Sequence, residues 1–307
     1  MRGRLLAIAL ATALAGAALI ATLVARAGEA ERGWELASSM SQRRSYIAAA
    51  ELDGAIYAAG GMVGETGRPL ATVARFDVGR DRWGTLMPLP EPTRAAAAAA
   101  LDDALYVIGG TTASGNTAAV WAYRPESDDW VTRAPMPAAR FNHEAEALDG
   151  RIYVLGGYLD GRERDDLFAY DPEENRWSRL GRLPRPTHAF GLVAFRDELW
   201  VVGGRRGDHV LRDVWIFDPS SEAWRRGPVL AKPMELLGIA ATKNEIHAIW
   251  EETYQVLDAS SGEWRLGPTP LVTRHALEAF AVDGFLITVG GCTTALRDTH
   301  VVERRRL

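Results

Sequence analysis

Five arginines are the first residues of this chain that could act together. Arg44, Arg94, Arg140 and Arg274 each stand at one of two adjacent places ahead of a glycine pair that closes an apolar run, and Arg205 directly follows another such pair. Guanidinium groups converging on one opening would hold a carboxylate or other acidic ligand through paired N–H donors. Tyr158 occupies the place equivalent to Arg205 and joins these candidate ligand contacts. His188 and Glu235 fill the arginine place in two further segments and His275 follows Arg274, so Glu235 with His275 or His188 is the positional acid–base pair if the opening catalyses a reaction. A metal site would require His143, His188 and His275 to meet, and none is expected. Cys292 is the only cysteine, which rules out an intrachain disulfide and a cysteine-based zinc cluster. It reads as a small packed residue, because no histidine is set beside it in sequence. No cofactor is expected, and the glycine pairs are not phosphate loops, since no Lys-Ser/Thr follows them.

The elements that must position these residues repeat. Pairs fall at Gly60-Gly61, Gly109-Gly110, Gly156-Gly157, Gly203-Gly204 and Gly290-Gly291; the interval is nearly constant over the first four and almost doubles before the last. The long last gap predicts a degenerate repeat near residue 250. One constant step leads from Trp34 to Gly60, Trp83 to Gly109, Trp130 to Gly156, Trp177 to Gly203 and Trp264 to Gly290, and the same step from Trp224 lands on Trp250-Glu251. Six repeats of about 40 to 49 residues, built from short apolar runs, are the pattern of a β-propeller with one four-stranded sheet per repeat. In the third repeat, Glu144 to Leu148 is strand A, Asp149-Gly150 the tight turn, Arg151 to Leu155 strand B, Asp166 to Tyr170 strand C, and Trp177 opens strand D. The chain ends before the sixth repeat reaches its tryptophan, so residues 33–38 around Trp34 should complete that sheet beside Thr299 to Glu303 and remove an open edge.

Composition agrees with this reading. The chain has 307 residues, 47% of them hydrophobic and 24% charged, and its 30 Gly and 15 Pro favour turn-rich β structure over a helical bundle. A formal net charge of −5 gives no support to nucleic-acid binding, which needs a clustered basic surface. Arg2 and Arg4 precede an uncharged, Ala- and Leu-rich stretch over residues 5–24, and Ala25-Arg26-Ala27 has a small-x-small form. Residues 1–27 are therefore expected to be a signal peptide or an N-terminal membrane anchor, and either places the remainder outside the cytoplasm. Cleavage after Ala27 would remove three arginines and take the charge from −5 to −8. Residues 28–32 form a short linker, and residues 33–307 the repeat domain.

The motif Ile152-Tyr-Val-Leu-Gly-Gly157, with Tyr170-Asp-Pro172 and Trp177 downstream, resembles the kelch repeat, and the resemblance recurs in register over about residues 33–303. It implies an all-β, six-bladed kelch-type propeller. Kelch repeats often carry an arginine that braces adjacent blades through loop carbonyls, which stands as the alternative role for each arginine above. The D–A and B–C loops share one face, so an extracytoplasmic binding or interaction module using that face is the expected function. The layout also resembles bacterial periplasmic kelch propellers that epimerise or mutarotate an acidic sugar, which implies an alternative: a carbohydrate isomerase with an arginine-rich central mouth. The expected partner is a protein or an acidic carbohydrate on the loop face, with possible membrane attachment through the N-terminal segment. Repeat five is shortened between Trp250 and Trp264 relative to Gly60 to Trp83 or Gly156 to Trp177, so the rim should be lowest there.

Overall fold

The computed structural model describes residues 33–64, 67–293 and 297–307; the expected export segment and linker lie outside the described residues. Six antiparallel four-stranded sheets surround a central axis, and each places its strand A innermost. In blade one the strands are Ala48–Leu52, Ala55–Ala59, Val73–Asp77 and Arg82–Leu86. In blade three they are Glu144–Leu148, Arg151–Leu155, Asp166–Asp171 and Arg176–Arg182. Strand A of the second, fourth, fifth and sixth blades is Ala97–Leu101, Gly191–Phe195, Gly238–Ala241 and Glu278–Val282. The Asp-Gly turns behave as expected: Asp149 and Gly150 both take positive φ, 49° and 71°, which a two-residue hairpin requires.

Strand B of blade two explains why the second strands read as unbroken apolar runs. Leu105 and Val107 enter the core layer shared with blade one, while Tyr106 and Ile108 enter the layer shared with blade three. Both faces of each sheet are buried, so alternation disappears. The core is accordingly six apolar layers, one per seam, rather than a single centre. The tryptophans clasp these seams. Trp83, Trp177 and Trp264 donate their indole N–H to the carbonyls of Ser38, Ala134 and Pro228 on the preceding blade at 2.8, 2.9 and 2.9 Å. Trp83 and Trp177 also pack on the aromatic ending strand C of their own blade, Phe76 and Tyr170, with centroids 5.0 Å apart.

The ring closes as the sequence implies, with a shifted partner. Glu35–Leu36 pairs with strand C of blade six at Glu35↔Arg304 and Leu36↔Glu303, and Glu35 accepts a 2.6 Å bond from Arg304. That strand runs Val302–Arg306, not Thr299 to Glu303. The residues before it serve the seam instead: Thr299 accepts the Arg44 backbone N–H at 2.9 Å through its carbonyl and donates its hydroxyl to Gly290 O at 3.0 Å.

Candidate functional site

The loop face is uneven. After the glycine pair, blades one to four each raise a short hairpin, such as Tyr158–Leu159 with Arg162–Glu163 or Arg205–Arg206 with His209–Val210. Blade five raises none: strand B, Glu245–Trp250, turns directly into strand C, Thr253–Asp258, and Trp250 pairs with Thr253. The lost turn expected from the short fifth repeat is a gap in the rim.

Three consecutive positions in each D–A loop build the mouth, counted back from the first residue of the pair slot. Position −16 is the brace. Arg44, Arg140 and Arg274 occupy it in blades one, three and six, and they are 2, 0 and 1% exposed. Each turns its guanidinium to the carbonyl of the first glycine of its own blade, at 3.3 Å for Gly60, 2.9 Å for Gly156 and 2.6 Å for Gly290. Arg44 also reaches Thr72 O at 2.9 Å. Arg274 donates to Val301 O at 2.8 Å, Thr288 Oγ1 at 2.6 Å and Glu303 Oε2 at 2.7 Å. Burial lowers Arg44 and Arg140 to about 10, Asp166 beside Arg140 at 3.6 Å opposing the shift. Arg44, Arg140 and Arg274 are therefore buried braces that tie each D–A loop to its own blade rather than ligand contacts at the mouth; their Nη1 donors go to backbone carbonyls, while Arg44 Nε, Arg140 Nη2 and Arg274 Nε are buried without a hydrogen-bond partner.

Position −15 holds Ser45, Arg94, Phe141, His188, Glu235 and His275; Ser45 and Glu235 are buried and the other four half-buried. Five of these form backbone bridges to the residue just after their own pair, including Arg94 to Thr111, Phe141 to Tyr158, His188 to Arg205 and His275 to Cys292. The bridges require the chain to run tightly past the second glycine. A Cβ on Gly61 would stand 2.7 Å from Ser45 O, and the residue has φ +92°. Blade five accommodates Glu251 in that slot at φ +52°.

Of the expected arginines, only Arg94 and Arg205 reach the mouth. Arg94 is half-buried and directs Nη1 to the Met62 sulfur at 3.4 Å. Arg205 donates to Glu235 Oε1 at 2.6 Å, so its charge is met within the wall. The second carboxylate oxygen of Glu235 is buried without a partner, as is Nδ1 of His188. Burial lowers His188, opposed by Glu163 and Glu235. Tyr158 packs between Phe141, edge-on, and His188, tilted, at 5.7 and 5.2 Å between ring centroids. His275 lies elsewhere in the ring, with Nε2 3.2 Å from Cys292 Sγ and Nδ1 3.9 Å from Glu251. Glu235 and His188 thus share one wall while His275 belongs to another. Cys292 is buried, and that burial pushes its thiol up to about 11, the Ser45 hydroxyl opposing the shift. Among the described residues no three His, Cys, Asp or Glu side chains are placed to hold a metal ion.

Position −14 was not legible as a site. Tyr46, Ala95, Asn142, Ala189, Leu236 and Ala276 all have φ between 45° and 56°, a conformation costly for non-glycine residues. Their backbones join blade to blade. Ala95 N donates to Tyr46 O at 2.9 Å, Asn142 N to Ala95 O at 3.1 Å and Ala189 N to Asn142 O at 3.3 Å. Leu236 N then donates to Ala189 O at 2.7 Å and Ala276 N to Leu236 O at 2.8 Å. This girdle is the throat of the mouth. Tyr46 is its one aromatic member; burial, with the Cys292 and Glu235 acids nearby, pushes its hydroxyl up to about 12. The signal was a constant spacing, but a bond between backbones leaves no characteristic residue type.

Comparison with known proteins agrees with this architecture. Residues 46–242 match the family model described as the KLHDC2/KLHL20/DRC7 Kelch-repeats domain. Kelch-like protein 35 of Mus musculus is 36% identical over 96 residues, 31% of this chain and 16% of that protein. Kelch-like protein 33 of Homo sapiens is 34% identical over 97 residues, 31% of this chain and 18% of that protein. The matched segments thus span less than a fifth of either relative.

Proposed function

The chain belongs to the Kelch-repeat family, and on that premise we propose that it is an interaction module whose partner protein docks on the loop face. The observation that carries this reading is the gapped rim around a polar mouth: hairpins on four blades, none on the fifth, and unpartnered polar atoms of Glu235 and His188 within. A protein segment crossing the gap at blade five would meet Arg94, Tyr158, His188 and Arg205 on the higher walls. We place the domain outside the cytoplasm, from the arginines before the apolar stretch over residues 5–24.

Photo-crosslinking tests the face. A benzophenone side chain at Tyr158 is expected to capture a discrete partner that one at Asp149, on the opposite face, does not, and Arg94→Glu should abolish capture. Equal capture from both faces would overturn the assignment. An acidic-sugar isomerase has less support, because three of the five arginines that would define its pocket are buried braces. Titration with sialic acid and uronates is expected to show no saturable binding; a saturable heat lost in Arg94→Ala would restore it.

A further inference from the structure

Below the girdle, the strands A enclose an axial channel with a cavity of about 350 Å³. Position −12 contributes one residue per blade at a common level. Four are small: Ala48, Ala97, Gly191 and Gly238. The other two are Glu144 of blade three and Glu278 of blade six, which a six-blade ring places on opposite sides of the axis. Glu146 lies two residues beyond Glu144 on the same strand, and Glu51 lines the wall from blade one. Among the described residues no Arg or Lys lines the channel, and Tyr46 and His143 are its remaining titratable wall groups. The strands A of blades two, four and five carry no titratable residue. His143 is held neutral, lowered to about 3 by burial with Arg140 adding to the shift.

Glu144, Glu146 and Glu278 are half-buried and have no side-chain partner among the described residues. Their field is therefore uncompensated, and charging them together is costly in a confined space. Burial, then Glu278 and Glu146, raises Glu144 well above the usual carboxylate range. Burial alone raises Glu278 to about 8, and raises Glu146 to about 7 against a bond from the Ala194 backbone. The girdle lies directly above. Asn142 and Ala276 stand two residues before Glu144 and Glu278 on the same segments, and each donates one of the girdle bonds.

We propose that Glu144 and Glu278, on opposite walls of the axial channel, act as a proton-operated strut: uncharged they leave the girdle closed, and ionised together they repel one another and loosen it at Asn142 and Ala276. The strut couples solution pH to the mouth without a titrating group on the loop face. The sign follows from linkage. Carboxyls whose folded value is raised stabilise the fold fully below the unfolded value, near 4.5, and that contribution is lost as pH rises through the folded value, for Glu278 about 8.

Hydrogen exchange by mass spectrometry on the full chain, at pH 6 and pH 9 with intrinsic rates corrected, tests the strut. Protection in peptides containing Asn142 and Ala276 is expected to fall at least tenfold at pH 9 in the wild type and by less than about threefold in the Glu144→Gln/Glu278→Gln double variant, in which Glu146 still titrates. Equal loss in both proteins, or no loss in the wild type, would overturn the proposal. If the double variant does not fold, each single glutamine variant should halve or better the fall in midpoint temperature between pH 6 and 9, and an undiminished fall in both would refute the strut.

Discussion

Positions −16 and −15 are neighbours in sequence and opposite in fate. Arg274 at −16 is 1% exposed and bonded to Gly290, Val301, Thr288 and Glu303, while His275 at −15 borders the opening. Arg140 and Phe141 divide in the same way, and so do Thr93, buried, and Arg94, half-buried. In extended chain one residue of displacement reverses the side a side chain takes. An arginine is a brace or a mouth residue according to a single step in register, and its chemistry is the same in both.

Arg274 is where losing a brace should cost most. Arg274→Ala would leave Glu303, itself 1% exposed, as a buried charge without its partner. The expected loss is about 3–5 kcal/mol in urea unfolding, because stranding one member of a buried ion pair is far costlier than removing both. Arg274→Met with Glu303→Leu should recover most of it. Arg140→Ala comes next, at about 1–3 kcal/mol, since its nearest carboxylate, Asp166, keeps Arg164 at 2.6 Å and Arg179 at 3.0 Å.

Acid exposes the seam just behind the mouth. His143 at −13 is buried with neither ring nitrogen hydrogen-bonded to a side chain, and His247 is lowered to about 4, chiefly by burial. Both are neutral when folded and charge when unfolded. Their contribution is present above the unfolded value of 6.5 and is lost as pH falls toward 4 for His247 and 3 for His143. Urea midpoints measured from pH 7 to 4 should therefore fall, and less steeply in His143→Gln. The smallest effect is expected at Glu251, a non-glycine residue at φ +52° in the second-glycine slot. Glu251→Gly should change stability by no more than about 1 kcal/mol, in the stabilising direction, by relieving the left-handed strain.

Much of the fold was legible because the devices that build it are local. Asp149-Gly150 marks its own turn, and the constant step from tryptophan to glycine pair found even the fifth blade, where the pair is missing. The site was legible only in part. Treating positions −16 and −15 as one merged a fully buried ring with one whose members are mostly half-buried, so Arg44, Arg140 and Arg274 were grouped with Arg94. Glu144 and Glu278 sit at one level only because six strands close into a ring, a relation between residues three repeats apart. Glu251 reads as decay of the repeat, yet its backbone holds the expected place, donating to Arg274 O at 2.8 Å.

Side-by-side urea unfolding of Arg274→Ala and Arg94→Ala tests the division between brace and mouth most directly. The first should lose about 3–5 kcal/mol and the second under about 1 kcal/mol. Comparable losses in the two variants, or a larger one for Arg94→Ala, would contradict the division.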